Sequence, residues 1–163
     1  MNGSSKINKA KRLGIISDTH GLLRPEAADE LQGCDLIIHA GDIGGIKILD
    51  ELSKICRVVA VRGNIDDDLE YGGLKLNEIV SIGNFELLVV HNINDYKPDV
   101  IKRKIDAVIY GHSHIPSIEY RDEILFFNPG SAGRRRFKLP VSLGITTIQK
   151  NSLKPQLIEL SAK

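Results

Sequence analysis

The hydrophobic positions follow two regimes along the chain. From Leu13 to Val61, short continuous apolar runs alternate with stretches whose apolar residues recur at helical spacing. Leu13–Ile16, Leu36–Ala40 and Arg57–Val61 read as strands buried on both faces. Between the first two, Arg24–Gln32 opens on Pro25, lines up Leu23, Ala27, Ala28 and Leu31, and stops at Gly33. Gly44-Gly45 breaks the chain before Ile46–Ile55, where Ile46, Leu49, Leu52 and Ile55 share a second helical face. This βαβαβ order predicts a parallel sheet with right-handed crossovers. In such sheets, ligands gather beyond the carboxyl ends of the strands.

After Tyr71 the pattern turns β-rich. Runs at Glu78–Ile82, Glu86–His91, Ala107–Tyr110, Ile118–Tyr120, Ile124–Asn128, Leu143–Ile148 and Gln156–Leu160 read as strands. Gly83-Asn84 is a hairpin turn, and Asp99–Ile105 is the one predicted helix in this half. Neither repeats nor linkers interrupt the chain, so residues 1–163 read as one domain of two packed sheets. Residues 1–12, basic and without an apolar core, read as a flexible N-terminal extension.

Composition adds exclusions. With 42% hydrophobic and 26% charged residues, the chain has the make-up of an ordinary globular fold. Twenty-two basic against twenty-one acidic residues leave a net charge of +1, which argues against nucleic acid or an anionic membrane as a stable partner. No apolar run reaches the roughly 18 residues of a membrane span, and no secretory h-region follows the basic N-terminus. A cytoplasmic location is therefore expected. Cys34 and Cys56 have neither metal-type nor disulfide-framework spacing and read as small core residues.

Chemistry appears where the apolar runs end. Leu13–Ile16 leads into Ser17-Asp18-Thr19-His20, and Leu36–Ala40 into Gly41-Asp42. Arg57–Val61 leads into Gly63-Asn64-Ile65-Asp66, Glu86–Val90 into His91, and Ala107–Tyr110 into Gly111-His112-Ser113-His114. Carboxylate, imidazole and amide oxygen suit divalent first-row metals, and no thiolate joins them. In an extended chain, residues two apart point the same way, so Asp18 with His20 and His112 with His114 can each grip one ion. One such motif alone is an ordinary turn or cap; five at successive strand ends are not. His39, in a buried strand, reads as a packed, hydrogen-bonded residue, and Arg134-Arg135-Arg136 as a solvated loop.

The ordered set Asp-x-His, Gly-Asp, Gly-Asn-x-Asp, His and Gly-His-x-His resembles the calcineurin-like metallophosphoesterases. Asn128-Pro129-Gly130-Ser131 resembles the block that closes the site in their small single-domain phosphodiesterase branch. The resemblance implies an α/β fold, an αββα sandwich of two mixed β-sheets flanked by helices. It also implies a first metal held by Asp18, His20 and His114. A second would be held by Asn64, His91 and His112, with Asp42 bridging both. The implied cofactors are two divalent ions, Mn2+ first, with Ni2+, Co2+, Zn2+ or Fe as alternatives.

The expected reaction is hydrolysis of a small phosphodiester by a hydroxide held between the two ions. Asp42 and Asn64 act through the metals, and Asp66 orients a neighbouring histidine or backbone group. A phosphomonoester is a second substrate class the motifs admit. Many relatives carry a histidine after the motif asparagine; here the residue is Ile65, which cannot protonate a leaving group. A competing reading is a protein-interaction scaffold of the same fold, opposed by the complete ligand set. Homo-oligomers are common in the resembled branch, so a second copy of the chain is a candidate partner.

Overall fold

The computed structural model describes residues 5–7, 10–67 and 70–161. The first β-α alternation forms as the apolar pattern predicts. Strand β2 (Arg12–Ile16), helix α1 (Pro25–Glu30), strand β3 (Leu36–His39), helix α2 (Ile46–Ser53) and strand β4 (Arg57–Ala60) follow in order. β2, β3 and β4 are parallel neighbours, with Ile15 opposite Ile38 and Ile38 opposite Val59. β10 (Ser142–Gln149) pairs antiparallel with β2, and β11 (Ser152–Glu159) with β10, giving a mixed five-stranded sheet. Pro155 is accommodated because β11 is an edge strand.

The second sheet is six-stranded and also mixed. Its strands are β1 (Ser5–Ile7), β5 (Asn77–Ile82), β6 (Phe85–Val90), β7 (Ala107–Ile109), β9 (Ile124–Asn128) and β8 (Ser117–Arg121), in that spatial order. Gly83-Asn84 makes the β5–β6 hairpin, with Ile82 paired to Phe85. β6, β7 and β9 are mutually parallel. One expectation fails at the N-terminus. Where a flexible extension was expected over residues 1–12, Ser5–Ile7 instead pair parallel with Val80–Ile82 as an edge strand. Residues 1–4, 8 and 9 lie outside the described residues.

The two sheets pack face to face. Alternate residues such as Leu13, Ile15, Leu36 and Ile38 from one sheet meet Val80, Leu87, Ile109 and Phe127 from the other. The opposite face of the five-stranded sheet is covered by Ala27 and Leu31 of α1 and Ile48 and Leu52 of α2. The outer face of the six-stranded sheet is covered differently. The predicted helix over Asp99–Ile105 does not form; Val100 and Ile101 N–H groups close a single turn onto Lys97 O and Pro98 O. A single turn cannot offset the cost of helix nucleation. The chain is held instead by Arg103 on Glu86 and by the buried Ile105.

Candidate metal centre

All the candidate ligands sit at carboxyl ends of parallel strands, β2, β3 and β4 in one sheet and β6 and β7 in the other. The loop after β2 continues pairing with the loop after β3: Asp18 N–H donates to Gly41 O at 3.0 Å and His20 N–H to Asp42 O at 3.0 Å. Gly111 N–H bonds His91 O at 2.9 Å, which joins the ends of β6 and β7. His112 N–H reaches across to Asp18 Oδ2 at 3.1 Å and stitches the two sheets together at the centre.

The backbone is not extended there. Asp18, His20, Asp42, His112 and His114 all have positive φ, between 47° and 71°. The expectation that residues two apart align along an extended strand is therefore wrong for both His-containing pairs. Left-handed backbone is uncommon for non-glycine residues and collects at functional sites. The surrounding glycines allow it by close approach. A Cβ on Gly63 would lie 2.1 Å from Asp42 Oδ1, and one on Gly111 2.0 Å from Ser17 Oγ.

Two groups of ligand atoms converge, Asp18–His20–His114 and Asp18–Asp42–His91, each with its atoms within 4.8 Å of one another. In the first, His114 Nε2 lies 3.3 Å from Asp18 Oδ1 and 3.3 Å from His20 Nε2. Asp42 Oδ2 stands between the groups, 3.7 Å from His20 Nε2 and 3.3 Å from His91 Nε2. The His112 ring lies edge-on to that of His91, with centroids 5.2 Å apart. Asn64 occupies an exposed turn next to Ile65, whose N–H donates to Asp42 Oδ1 at 3.1 Å.

The hydrogen bonds leave two of the candidate ligand atoms open. Asp18 Oδ2 accepts from Ser17 Oγ at 2.7 Å and from His112 N, whereas Asp18 Oδ1, buried, has no hydrogen-bond partner among the described residues. His91 Nδ1–H donates to Ala40 O at 2.7 Å, which fixes the tautomer and leaves a lone pair on the buried, unpartnered Nε2. Two imidazole Nε2 atoms face each other across 3.3 Å beside that carboxylate oxygen. Such a cluster of converging carboxylate and imidazole atoms, two of them buried without a hydrogen-bond partner, fits divalent cations.

Electrostatics agree with the geometry. Burial pushes the Asp18 carboxyl up, but the nearby His114 and His20 imidazoles and the Ser17 hydroxyl outweigh it and hold it below the usual range. Burial likewise opposes ionisation of Asp42; its contact with His91 prevails and lowers it. Burial disfavours charge on His91, yet Asp42 and the Ala40 carbonyl raise it above its ordinary value. His39 behaves differently: full burial depresses it to about 4. Its Nδ1 accepts Gly41 N–H at 3.2 Å, so Nε2–H donates to Thr19 Oγ1 at 2.9 Å, and Thr19 donates to Ile43 O. It is the packed residue expected. Burial pushes the Cys34 and Cys56 thiols up, Cys56 to about 11, and neither takes part.

Asp66 meets backbone, not histidine. Its carboxylate accepts from Ile43 N, Gly44 N and Gly63 N at 2.8–3.1 Å, tying the Asp42 loop to the Asn64 loop. Asn128 secures the Gly111–His114 turn through Gly111 O and Ser113 Oγ, and Ser131 Oγ donates to Asp18 O at 2.9 Å. The supporting role of Ser17 was missed from sequence, where a serine before an aspartate carries no signal.

This fold, with its ligand-bearing loops at one edge of a double sheet, is that of the metal-dependent phosphoric ester hydrolases. The chain belongs to the calcineurin-like phosphoesterase superfamily, whose domain profile matches residues 12–151. It is 39% identical over 132 residues to a probable metallophosphoesterase of Methanocaldococcus jannaschii, covering 73% of this chain and 67% of that protein. It is 28% identical over 159 residues to phosphodiesterase YfcE of Escherichia coli, covering 82% and 86% of the two chains. The solved structure of Chaetomium thermophilum Vps29 superposes with a TM-score of 0.74 at 19% identity, covering 93% of this chain and all 100% of that one, which shows the shared fold.

Proposed function

We propose that the protein is a dinuclear metal-dependent phosphodiesterase, with Asp18, His20 and His114 holding one ion and Asn64, His91 and His112 the other. Asp42 would bridge them. The observation that carries this reading is the pair of adjoining ligand groups, Asp18–His20–His114 and Asp18–Asp42–His91, which draw on both sheets and contain the buried, unpartnered Asp18 Oδ1 and His91 Nε2. The similarity to phosphodiesterase YfcE favours a diester over a monoester. When bound, the two ions supply an activated water for in-line attack on phosphorus and neutralise charge on the phosphoryl oxygens.

The chain's own residues supply the rest. Ser17 Oγ and His112 N–H hold Asp18 Oδ2, so its other oxygen keeps a fixed aim. Asp66 sets the spacing of the Asp42 and Asn64 loops. No histidine follows Asn64, so the leaving oxygen departs without a side-chain acid at that position. Mn2+ is the ion we expect to support turnover best, in a cytoplasmic enzyme. Chelator-treated protein should regain hydrolysis of bis(4-nitrophenyl) phosphate on addition of Mn2+. Absence of turnover with any of Mn2+, Ni2+, Co2+ or Zn2+ would favour the scaffold reading.

A further inference from the structure

The chain leaves the candidate centre through a loop rich in cations. Ala132 N–H donates to Ser17 O at 3.0 Å and Ser131 Oγ to Asp18 O at 2.9 Å. Gly133 follows, so close that a Cβ on it would lie 2.2 Å from Thr19 O, and its carbonyl accepts Arg24 Nε at 2.9 Å. The backbone entering Arg134 is thus fixed against the Asp18–His20 turn. Arg134, Arg135, Arg136, Phe137 and Lys138 then run exposed, before Ser142 N–H closes the neck onto Ser131 O at 2.9 Å. Arg134 therefore begins one residue beyond a glycine that abuts the backbone of Asp18 and Thr19.

The cations lack local neutralisation. No Asp or Glu occurs between Glu123 and Glu159. Among the described residues, the side chains of Arg134, Arg135, Arg136 and Lys138 make no ion pair. Phe137 is 93% exposed and has a φ of 52°, so its ring is held in water on a left-handed backbone. Packing explains neither the aromatic ring nor the unpaired charge. Guanidinium groups suit phosphate oxygens, and an exposed aromatic ring suits a nucleobase face.

We propose that this loop is a substrate subsite, in which Arg134–Arg136 and Lys138 bind a second phosphate and Phe137 stacks on an aromatic base. The favoured substrates are then phosphodiesters with one half a nucleotide bearing a further phosphate. This rests on the phosphodiesterase reading above. Water cleaves one P–O bond to give a phosphomonoester and an alcohol, and the subsite takes no part in those bond changes.

The test compares the dinucleotide ApA with its 5′-phosphorylated form in the Mn2+-loaded protein. The added phosphate should raise kcat/KM roughly tenfold, and R134Q/R135Q/R136Q should bring that ratio towards one. Phe137→Ala should lower kcat/KM for both dinucleotides about fivefold or more. Equal rates on the two in the unaltered protein, or a ratio kept by the triple variant, would overturn the subsite. Failure to hydrolyse bis(4-nitrophenyl) phosphate would instead sink the phosphodiesterase reading. Calorimetric binding of adenosine 3′,5′-bisphosphate would still decide the subsite, because equal affinity in the triple variant overturns it. Loss of affinity confined to a long oligonucleotide would also overturn it, making the loop a nucleic-acid contact.

Discussion

Replacing Asp66 by alanine strips the acceptor from three backbone N–H groups, those of Ile43, Gly44 and Gly63. The carboxylate is buried, and Ile43 is fully so, whereas the bonds to Gly44 and Gly63 are partly solvent-accessible. A buried N–H left without a partner costs about 1–3 kcal/mol, more when the lost acceptor is charged. Counting Ile43 in full and the two glycines at reduced weight gives about 4 kcal/mol for Asp66→Ala. Asp66→Asn keeps one oxygen for Ile43 and Gly44 but turns an amide N–H towards Gly63 N–H, for about 2 kcal/mol. In a chain of this size, the alanine variant's loss lowers the melting temperature by roughly 8–16 °C. Urea denaturation of metal-free protein measures this without reference to turnover. Because the same bonds space Asp42 from Asn64, metal affinity should also fall about 10–100-fold. An asparagine variant as stable as the parent, with normal metal affinity but no activity, would refute this. Asp66 would then act on substrate, not on backbone.

Three further outcomes follow from the same geometry. Gly63→Ala sets a Cβ 2.1 Å from Asp42 Oδ1, so turnover should fall about 100-fold or more, and near-normal activity would mean that Asp42 is not held there for catalysis. In the metal-free protein, Asp18 and Asp42 ionise below the usual range and His39 protonates only at about 4 against an ordinary 6.5. In all three cases the unfolded chain binds more protons, so stability falls as pH drops from about 6.5 through 4 and below. His91, raised by Asp42, acts oppositely: its contribution is complete below 6.5 and is lost as pH rises through the raised value. Urea midpoints should therefore decline on both sides of an optimum, and His91→Gln should flatten the alkaline side; an unchanged alkaline limb would refute the His91–Asp42 pairing. With Ile65 where a proton donor would stand, rates on aryl phosphodiesters should depend steeply on leaving-group pKa, and a flat series would expose an acid elsewhere.

What the sequence carried and what it hid divide along a physical line. Apolar runs such as Leu36–Ala40 announce buried parallel strands, and the residues after them announce the ligands, because type and order survive in one dimension. Strand β1 was hidden because Ser5-Lys6-Ile7 is too short and polar to show a pattern; its strand character comes from pairing with Val80–Ile82. The helix expected at Asp99–Ile105 reflects the spacing of Ile101 and Ile105, yet Ile105 is anchored separately, and Arg103 is drawn to Glu86. Tertiary contacts set that segment, and no local pattern records them. For Asp66, the residue was visible but its partners were not, since Ile43 and Gly44 are more than twenty positions away.

The deepest gap lies in backbone conformation. Five ligand candidates share left-handed φ, which costs about 1–3 kcal/mol at each non-glycine position. Nothing local repays that cost. It is sustained by contacts between loops: Asp18 N–H on Gly41 O, His20 N–H on Asp42 O, His112 N–H on Asp18 Oδ2 and Ser131 Oγ on Asp18 O. Gly63 and Gly111 serve the same end by leaving room for Asp42 and Ser17. Two of the five strained candidates, Asp42 and His112, directly follow a glycine, and Gly63 before Asn64 makes space for Asp42 in the same way as Gly111 does for Ser17. Those glycines are part of the site through what they omit, and a methyl group there would disturb the centre as surely as loss of a ligand.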